Sequence, residues 1–184
     1  MTTWIALLRA VNVGGNNLIK MSDLRDLLAG LGLENVRTHL QSGNAVFSAR
    51  SKDRKKLSQE ISNAIHQAHG HRPEVILRTP DELRGALDRL PFDASANPSL
   101  VIINFLLDAA DPEGARELAK ALAAYEGPET VAVHESEVFI HYPEGMGRSK
   151  LNRIPMEKLL GTRGTARNLN TARKLLEMAE EAGG

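Results

Sequence analysis

The sequence predicts an α+β protein made of two related halves, each an antiparallel sheet with helices on one face. Three observations predict this class. Elements follow one another in the order β-α-β-β-α-β over residues 1–78, a similar order returns after residue 99, and several helices begin at recognisable capping residues. We therefore divide the 184-residue chain into a first half (1–78), a helix and linker (79–98) and a second half (99–184).

The first half begins with a strand and a leucine-rich helix. Residues 4–11 form a short apolar run typical of a buried strand, and the helix after it has leucines at i, i+3, i+4 and i+7. Ser22 is its predicted N-cap and Gly32 its stop. The rest of this half is a strand over 36–41, the turn Ser42-Gly43-Asn44, a strand over 45–49, a helix capped by Ser51 and ended by Gly70, and a strand over 75–77.

The capping box Thr79-Pro80-Asp81-Glu82 marks the start of the next helix and separates the halves. The second half repeats the order of the first but ends in a helix where the first half has its fourth strand. Its predicted elements are a strand over 100–107, a helix from Asp111-Pro112, a hairpin of 130–133 and 138–142, a helical stretch over 149–160 that Pro155 either kinks or starts, and a last helix over 168–182.

This order of elements is typical of the ferredoxin-like fold, an α/β plait with strand order 4-1-3-2. In that topology the loop after strand one, the hairpin between strands two and three and the turn before strand four lie at one end of the sheet. We therefore expect residues 12–20, 41–44 and 69–71 to converge there.

Composition excludes several functional classes. The chain has 23 basic and 23 acidic residues, whereas a chain that coats nucleic acid or an anionic membrane is normally basic. It has no cysteine, which excludes disulfides, thiolate metal sites and a cysteine nucleophile. Arg9 interrupts the apolar N-terminus, so we interpret this segment as a strand and not a signal peptide. No apolar run approaches the ~18 residues that a membrane-spanning helix needs. We predict a cytoplasmic protein, a monomer or homodimer, with no membrane partner, metal or cofactor.

The converging loops are the first candidate site. A glycine-rich loop that opens a helix can present backbone N–H groups to an anion, and nearby cations add charge-assisted hydrogen bonds. The alternative is that the two glycines only let the chain turn and that the first asparagine caps it. The candidate ligand residues here are Arg9, Asn12, Gly14, Gly15, Lys20, Gln41, Ser42 and Asn44.

The second half offers a further cluster of polar and basic residues. Positive side chains at a helix start are unfavourable unless an anion lies beside them, which makes residues 148–150 and the region before the last helix weak anion-site candidates. Solvated turns and an Asn168 N-cap are the alternative. The candidate ligand residues are Arg148, Lys150, Arg167 and Asn170.

Other motifs fail on their spacing. Ile19 and Met21 stand where a phosphate loop needs Gly and Ser or Thr, and no nucleophile elbow occurs. The histidines at 66, 69 and 71 need no metal, because a helix C-terminus favours solvated imidazoles. Only Trp4 and Phe47 fall near the strands that plaits use to stack RNA bases.

Several motifs resemble one known family. The segments Leu7-Leu8-Arg9-Ala10-Val11-Asn12-Val13-Gly14-Gly15 and Leu40-Gln41-Ser42-Gly43-Asn44-Ala45-Val46-Phe47 in tandem, with the later segments 147–151 and 165–175, are similar to the domain-of-unknown-function family 1697. The resemblance implies a bacterial protein with two plait-like halves. It implies no established activity, and so no catalytic residue to carry over.

The sequence thus supports three functional hypotheses, and catalysis is left open. The first is binding of a small anionic ligand, a nucleotide or phosphorylated metabolite, at the converging loops. The second is a protein-interaction or oligomerisation module, because the apolar strand over 100–107 needs an opposing surface. RNA binding is the third and is disfavoured by the composition.

Overall fold

The computed structural model describes residues 1–93 and 97–183. The chain divides into two compact units, each described separately below. The first unit contains Met1–Leu87 together with the chain from Arg173 onward, and the second contains Asp88–Ala172. Part of the predicted helix and linker over 79–98, residues 94–96, lies outside the described residues.

Each unit contains one four-stranded antiparallel sheet. The strands are β1 (Thr2–Leu8), β2 (Glu34–His39), β3 (Asn44–Ala49), β4 (Val75–Arg78), β5 (Val101–Leu106), β6 (Thr130–His134), β7 (Glu137–His141) and β8 (Gly164–Asn168). The helices are α1 (Met21–Gly30), α2 (Arg54–His69), α3 (Pro80–Asp88), α4 (Pro112–Ala123), α5 (Met156–Leu160) and α6 (Leu169–Gly183). The chain is therefore an α+β protein with two ferredoxin-like halves.

The first sheet has the strand order β2-β3-β1-β4, as the plait topology predicts. Trp4, on β1, pairs with Phe47 on β3, and Leu8 at the end of β1 pairs with Val75 on β4. Alternate residues of these strands face α1 and α2, and with Leu24 and Ile61 from the two helices they form one apolar core. Packing one face of the sheet against two helices fixes where the strands end, and so where their loops meet.

The second sheet has the equivalent order β6-β7-β5-β8 and contains a strand that the sequence analysis missed. We predicted that a helix replaces the fourth strand, but Gly164–Asn168 forms β8, antiparallel to β5. A five-residue segment containing glycine, alanine and arginine lacks the apolar pattern of a strand, and pairing with the central strand decides its conformation instead. Asn168 nevertheless caps α6 as predicted, because its Oδ1 accepts a hydrogen bond from the Thr171 N–H (2.9 Å).

The region between β7 and β8 is the other place where the second unit differs from the first. The first unit has the sixteen-residue helix α2 at this position, whereas the second has two 3-10 turns, at Met146–Arg148 and Leu151–Arg153, followed by the five-residue α5. Pro155 immediately precedes α5, so it marks a helix start and does not kink a longer helix.

Helix caps agree with the sequence in part. The Thr79–Glu82 capping box forms in both directions, with Thr79 N–H donating to Glu82 Oε2 (2.8 Å) and Glu82 N–H donating to Thr79 Oγ1 (3.3 Å). The predictions for Ser22 and Ser51 are wrong. Ser22 lies inside α1, and the cap of α2 is Asp53, which accepts from the Lys56 N–H (3.0 Å). Both serines lie two positions from the true N-cap residue, Lys20 for α1 and Asp53 for α2.

Candidate functional site

Three connections of the first unit meet at one end of its sheet. The Leu8 N–H donates to Gly43 O in the β2–β3 connection (2.8 Å), and the Arg9 N–H donates to Glu74 O in the turn before β4 (2.9 Å). We call residues 9–20, 40–43 and 70–74 the loop end. The predicted meeting of the loop after β1 with the hairpin is therefore found in the structure, and the turn before β4 joins them through Glu74, which lies beyond the predicted segment 69–71.

Asn12 ties two of these segments together. Its Nδ2 donates to Gln41 O (2.6 Å) and to Ile19 O (2.9 Å), and its Oδ1 accepts from the Ile19 N–H (2.8 Å). The side chain thus closes the loop between β1 and α1 on itself and fastens it to the hairpin. Because its amide is fully engaged, Asn12 positions the loop and has no hydrogen left to give a ligand.

The glycines of this loop adopt the conformation that their residue type permits. Gly14 has φ 58° and Gly15 has φ 78°, and a Cβ added at Gly15 would meet nothing within 4 Å. Both are exposed. A ligand can therefore approach the backbone closely at Gly15, whereas the Gly14 carbonyl already accepts a hydrogen bond from Asn16 Nδ2 (3.5 Å).

Lys20 lies at the other end of the same loop, as the residue immediately before α1. It is exposed, and no side chain caps the start of α1 in the described part of the chain. A helix start has a partial positive charge from its N–H groups, which Lys20 increases. Asp23 in the first turn offsets part of this charge, and it accepts a hydrogen bond from Ser22 Oγ (3.0 Å).

Arg9 is the second predicted cation at the loop end, which also contains the exposed Arg72. Its Nη1 lies 3.7 Å from Glu74 Oε2, and the two side chains are 32% and 27% exposed. The pair is longer than a charge-assisted hydrogen bond, for which ~2.7–2.9 Å is usual. Arg9 is thus held near the loops by a carboxylate but keeps access to solvent.

The hairpin contributes two exposed residues and one buried one. Gln41 and Ser42 are exposed, whereas Asn44 is 0% exposed. The Asn44 Nδ2 donates to His39 O (2.8 Å) and to Ser42 Oγ (3.0 Å), so Asn44 shapes the turn and does not face solvent. Of the predicted ligand residues in this unit, the structure brings six to the surface of the loop end and gives Asn12 and Asn44 positioning roles.

Exposed apolar side chains are concentrated at the same end. Val13 and Leu18 in the first loop and Leu40 in the hairpin are 63%, 65% and 56% exposed. They are three of the seven large hydrophobic residues exposed among those the structure describes. Sequence analysis did not single them out, because an isolated Val or Leu in a loop carries no signal until the fold brings it beside others.

The predicted residues of the second half all lie in the second unit and do not form one cluster. Arg148 and Lys150 are exposed in the 3-10 region, where the intervening Ser149 hydrogen-bonds the Glu129 carboxylate and lowers its pKa. Arg167 is buried on β8, where its Nη1 donates to Thr165 Oγ1 (2.8 Å), and burial lowers its pKa to about 10. Asn170 is exposed on α6.

The structure also bears on RNA stacking by aromatic residues and on metal binding by histidines. Trp4 and Phe47 are 3% and 0% exposed in the core under α1 and α2, so neither is available to stack on a base. The rings of His69 and His71 lie 6.4 Å apart. Among residues 1–93 and 97–183, however, no three His, Asp or Glu side chains are grouped so that they could hold a metal ion.

A cavity in the second unit was missed entirely by the sequence analysis. It is open to solvent and has a volume of about 600 Å³ between the helix-facing side of the sheet and residues 146–158. Asn104, in the middle of the apolar run over 101–106, is one of its lining residues. A single polar residue in that run was the only signal in the sequence.

Comparison with known proteins gives a family and a fold. A family model described as "Protein of unknown function (DUF1697)" matches residues 1–139. No curated protein matches the chain. The chain is similar to a solved structure described as that of the conserved bacterial protein SP0830 from Streptococcus pneumoniae, with a TM-score of 0.74 and 22% identity over 97% of this chain and 98% of that chain. At this identity the likeness shows a shared fold.

None of the helices within the described ranges is long and apolar enough to cross a membrane. The family match includes both motifs of the loop end, residues 7–15 and 40–47, and extends well into the second unit. Because the family model matches residues 1–139 of 184, this protein belongs to the DUF1697 family of proteins of unknown function.

Proposed function

We propose that the first unit binds a small anionic ligand, a nucleotide or a phosphorylated metabolite, at its loop end. The observation that carries the proposal is the set of three hydrogen bonds made by the Asn12 side chain: two with Ile19 close the glycine loop, and one to Gln41 O fastens that loop to the hairpin. The loop that carries Arg9 and Lys20 is thereby held beside the hairpin without needing a ligand to organise it.

Each group has a distinct task in this proposal. Arg9 and Lys20 supply charge-assisted hydrogen bonds to anion oxygens. Gly14 and Gly15 let the backbone approach those oxygens, and Gln41 and Ser42 orient the rest of the molecule. An anion at Arg9 competes with Glu74, whose carboxylate lies 3.7 Å away, so binding exchanges one acidic partner for another.

The apolar neighbours favour a nucleotide over a bare phosphate. Val13 and Leu18 provide exposed apolar contact area in the loop that carries Arg9 and Lys20, and Leu40 adds to it from the hairpin. Small-molecule sites combine mainly apolar walls with a few placed polar groups. A ligand with a ring as well as a phosphate satisfies both kinds of contact.

A thermal-shift screen tests the proposal. The panel contains inorganic phosphate, adenine and guanine nucleotides and sugar phosphates. A ligand at one hundred times its Kd stabilises the folded state by about 2.7 kcal/mol, which raises the Tm by several degrees for a chain of this size. We expect Arg9→Ala and Lys20→Ala to lose that rise.

The matched control is Arg116→Ala. It removes the same charge from an exposed position on α4, where Arg116 pairs only with Glu113 one turn away (2.6 Å). The control should keep the full shift. A panel without any shift, or a shift that survives both loop-end variants, contradicts the proposal.

The second candidate function is a protein-interaction or oligomerisation module. The same three exposed apolar side chains favour it, because clustered apolar exposure is typical of a contact surface. Light scattering over a concentration series distinguishes self-association from ligand binding. We expect Leu40→Ser to reduce the mean mass if the loop end associates, and a constant monomer mass rules out this form of the module.

A further inference from the structure

The helix-facing side of the second sheet is incompletely covered. In the first unit the ten-residue α1 and the sixteen-residue α2 cover this side, but in the second two 3-10 turns and the five-residue α5 stand in the place of α2 beside the twelve-residue α4. The uncovered region is the cavity of about 600 Å³ described above. Its volume lies within the range of ~300–1,000 Å³ that is usual for small-molecule sites.

Asn104 places an amide on the floor of this cavity. It lies on the central strand β5, between Ile102 and Leu106, whose side chains belong to the apolar core on the same side of the sheet. Asparagine is a poor strand former, so its presence here needs a reason. No hydrogen bond to its side-chain amide exists within the part of the chain that the structure describes, although the side chain is more than half buried.

Gly164 makes room for that amide. A Cβ added at Gly164 would lie 2.5 Å from Asn104 Oδ1, a distance that no real Cβ tolerates. The Gly164 N–H is itself occupied, because it donates to Glu157 Oε1 (3.0 Å) at the cavity wall. The amide of Asn104 therefore occupies the space that a side chain at position 164 would fill.

A phenol and apolar walls complete the lining. Tyr142 follows β7 and lines the cavity with a side chain that is 4% exposed. Burial raises the pKa of its hydroxyl, and the nearby Glu129 carboxylate adds to this, so the hydroxyl stays protonated at neutral pH and can donate a hydrogen bond. Ile102, Ile140 and Leu151 contribute apolar surface.

The charges at the cavity point to an uncharged ligand. Its ionisable lining residues other than Tyr142 are one acid, Glu157, and one base, Lys158, so their formal charges cancel. An amide presents a donor and an acceptor side by side, which matches the edge of a lactam or nucleobase. We propose that this cavity binds an uncharged planar heterocycle with a donor–acceptor edge, such as a nucleobase or nucleoside, through Asn104.

This site is independent of the anion site proposed for the first unit, so each can fail alone. The test is NMR on isotope-labelled full-length protein titrated with adenosine, guanosine, uridine and cytidine, none of which carries a phosphate. We expect at least one nucleoside to shift the resonances of Ile102, Asn104 and Ala166 on adjacent strands. No shift at these residues with any nucleoside at millimolar concentration overturns the proposal.

Substitution of Asn104 then separates recognition from shape. Asn104→Val removes the amide but places a β-branched residue on the strand, so the variant should fold with an equal or higher Tm while binding weakens about tenfold or more. Asn63→Ala on α2 is the control that should leave the affinity unchanged. Undiminished nucleoside affinity in the Asn104→Val protein also overturns the proposal.

Discussion

Replacing Asn12 is the most direct perturbation of the loop end, because one side chain makes three of its hydrogen bonds. Each contributes a net ~0.5–1.5 kcal/mol, and since the side chain is only partly buried we take the lower part of that range, about 2 kcal/mol for the three. Asn12 also has φ 55°, where alanine costs about 1 kcal/mol more than asparagine or glycine. Asn12→Ala should therefore lose about 3 kcal/mol and Asn12→Gly about 2.

Asn12→Asp provides a charge-specific comparison at the same position. The aspartate keeps the acceptor for the Ile19 N–H but turns a carboxylate oxygen toward Ile19 O and Gln41 O, which now accept nothing from it. The carboxylate oxygen and the two carbonyl oxygens repel one another, because all three are hydrogen-bond acceptors. We therefore expect Asn12→Asp to be destabilised at least as much as Asn12→Ala. Raising the salt concentration should not rescue the lost donors.

Hydrogen exchange read by mass spectrometry measures the effect where it occurs. Peptides over residues 9–20 and 40–43 should exchange faster in all three variants, and urea denaturation should give the stability order Gly above Ala above or equal to Asp. Peptides from the second unit serve as the internal reference. Unchanged protection of both segments in Asn12→Ala would show that these hydrogen bonds do not hold the loop end together.

Three further predictions concern the first unit. Gly43→Ala should lower the free energy of unfolding by about 2–4 kcal/mol, because its Cβ would lie 2.8 Å from Leu8 Cβ at φ 75°. Gly15→Ala has open space and should cost only the ~1 kcal/mol of its positive φ. Equal losses of stability in urea denaturation contradict this prediction. Burial raises the pKa of the Glu82 carboxyl, but hydrogen bonds from Arg54 and Thr79 outweigh this effect and lower it overall. The contribution of Glu82 to stability is therefore present above pH 4.5 and lost on acidification, and Glu82→Gln should flatten that part of the curve of Tm against pH. Leu175→Ala, at a position 1% exposed on α6, should cost ~2–5 kcal/mol, and a loss below 1 kcal/mol is inconsistent with that burial.

The sequence predicts the first unit well because its signals are local. The Thr79–Glu82 capping box, the Gly70 helix stop and the leucine spacing of α1 each depend on residues within two turns of one another. The convergence of the loop end then follows from topology alone. The strand order alone places the loop after β1 beside the β2–β3 hairpin.

The second unit shows where local reasoning fails. β8 forms because Thr165 and Ala166 pair with β5, about sixty residues earlier, and no pattern within the segment itself indicates a strand. The cavity depends on how short α5 is, which Pro155 and Gly161 fix at its two ends. Asn104 becomes a candidate only once Gly164 is known to lie beside it.

The candidate site shows the same division. Residue type alone placed Asn12 and Asn44 among ligand contacts, since amides suit both ligands and turns. Their hydrogen bonds to the Ile19, Gln41 and His39 backbone assign them to the turns. The residue type alone cannot distinguish a ligand contact from a turn-forming role, because the hydrogen-bond partner that decides between them comes from another segment of the chain.

The division of α6 between the two units has a consequence for synthesis. The helix starts at Leu169 within the second unit, yet from Arg173 onward it belongs to the first, where Arg37 and Arg84 pair with Glu181 and Glu180. A ribosome therefore releases the whole second unit before the earliest-made part of the chain can gain its closing helix. Nascent N-terminal segments must wait about ninety residues for that partner, and a chain cut short before residue 173 leaves them without it.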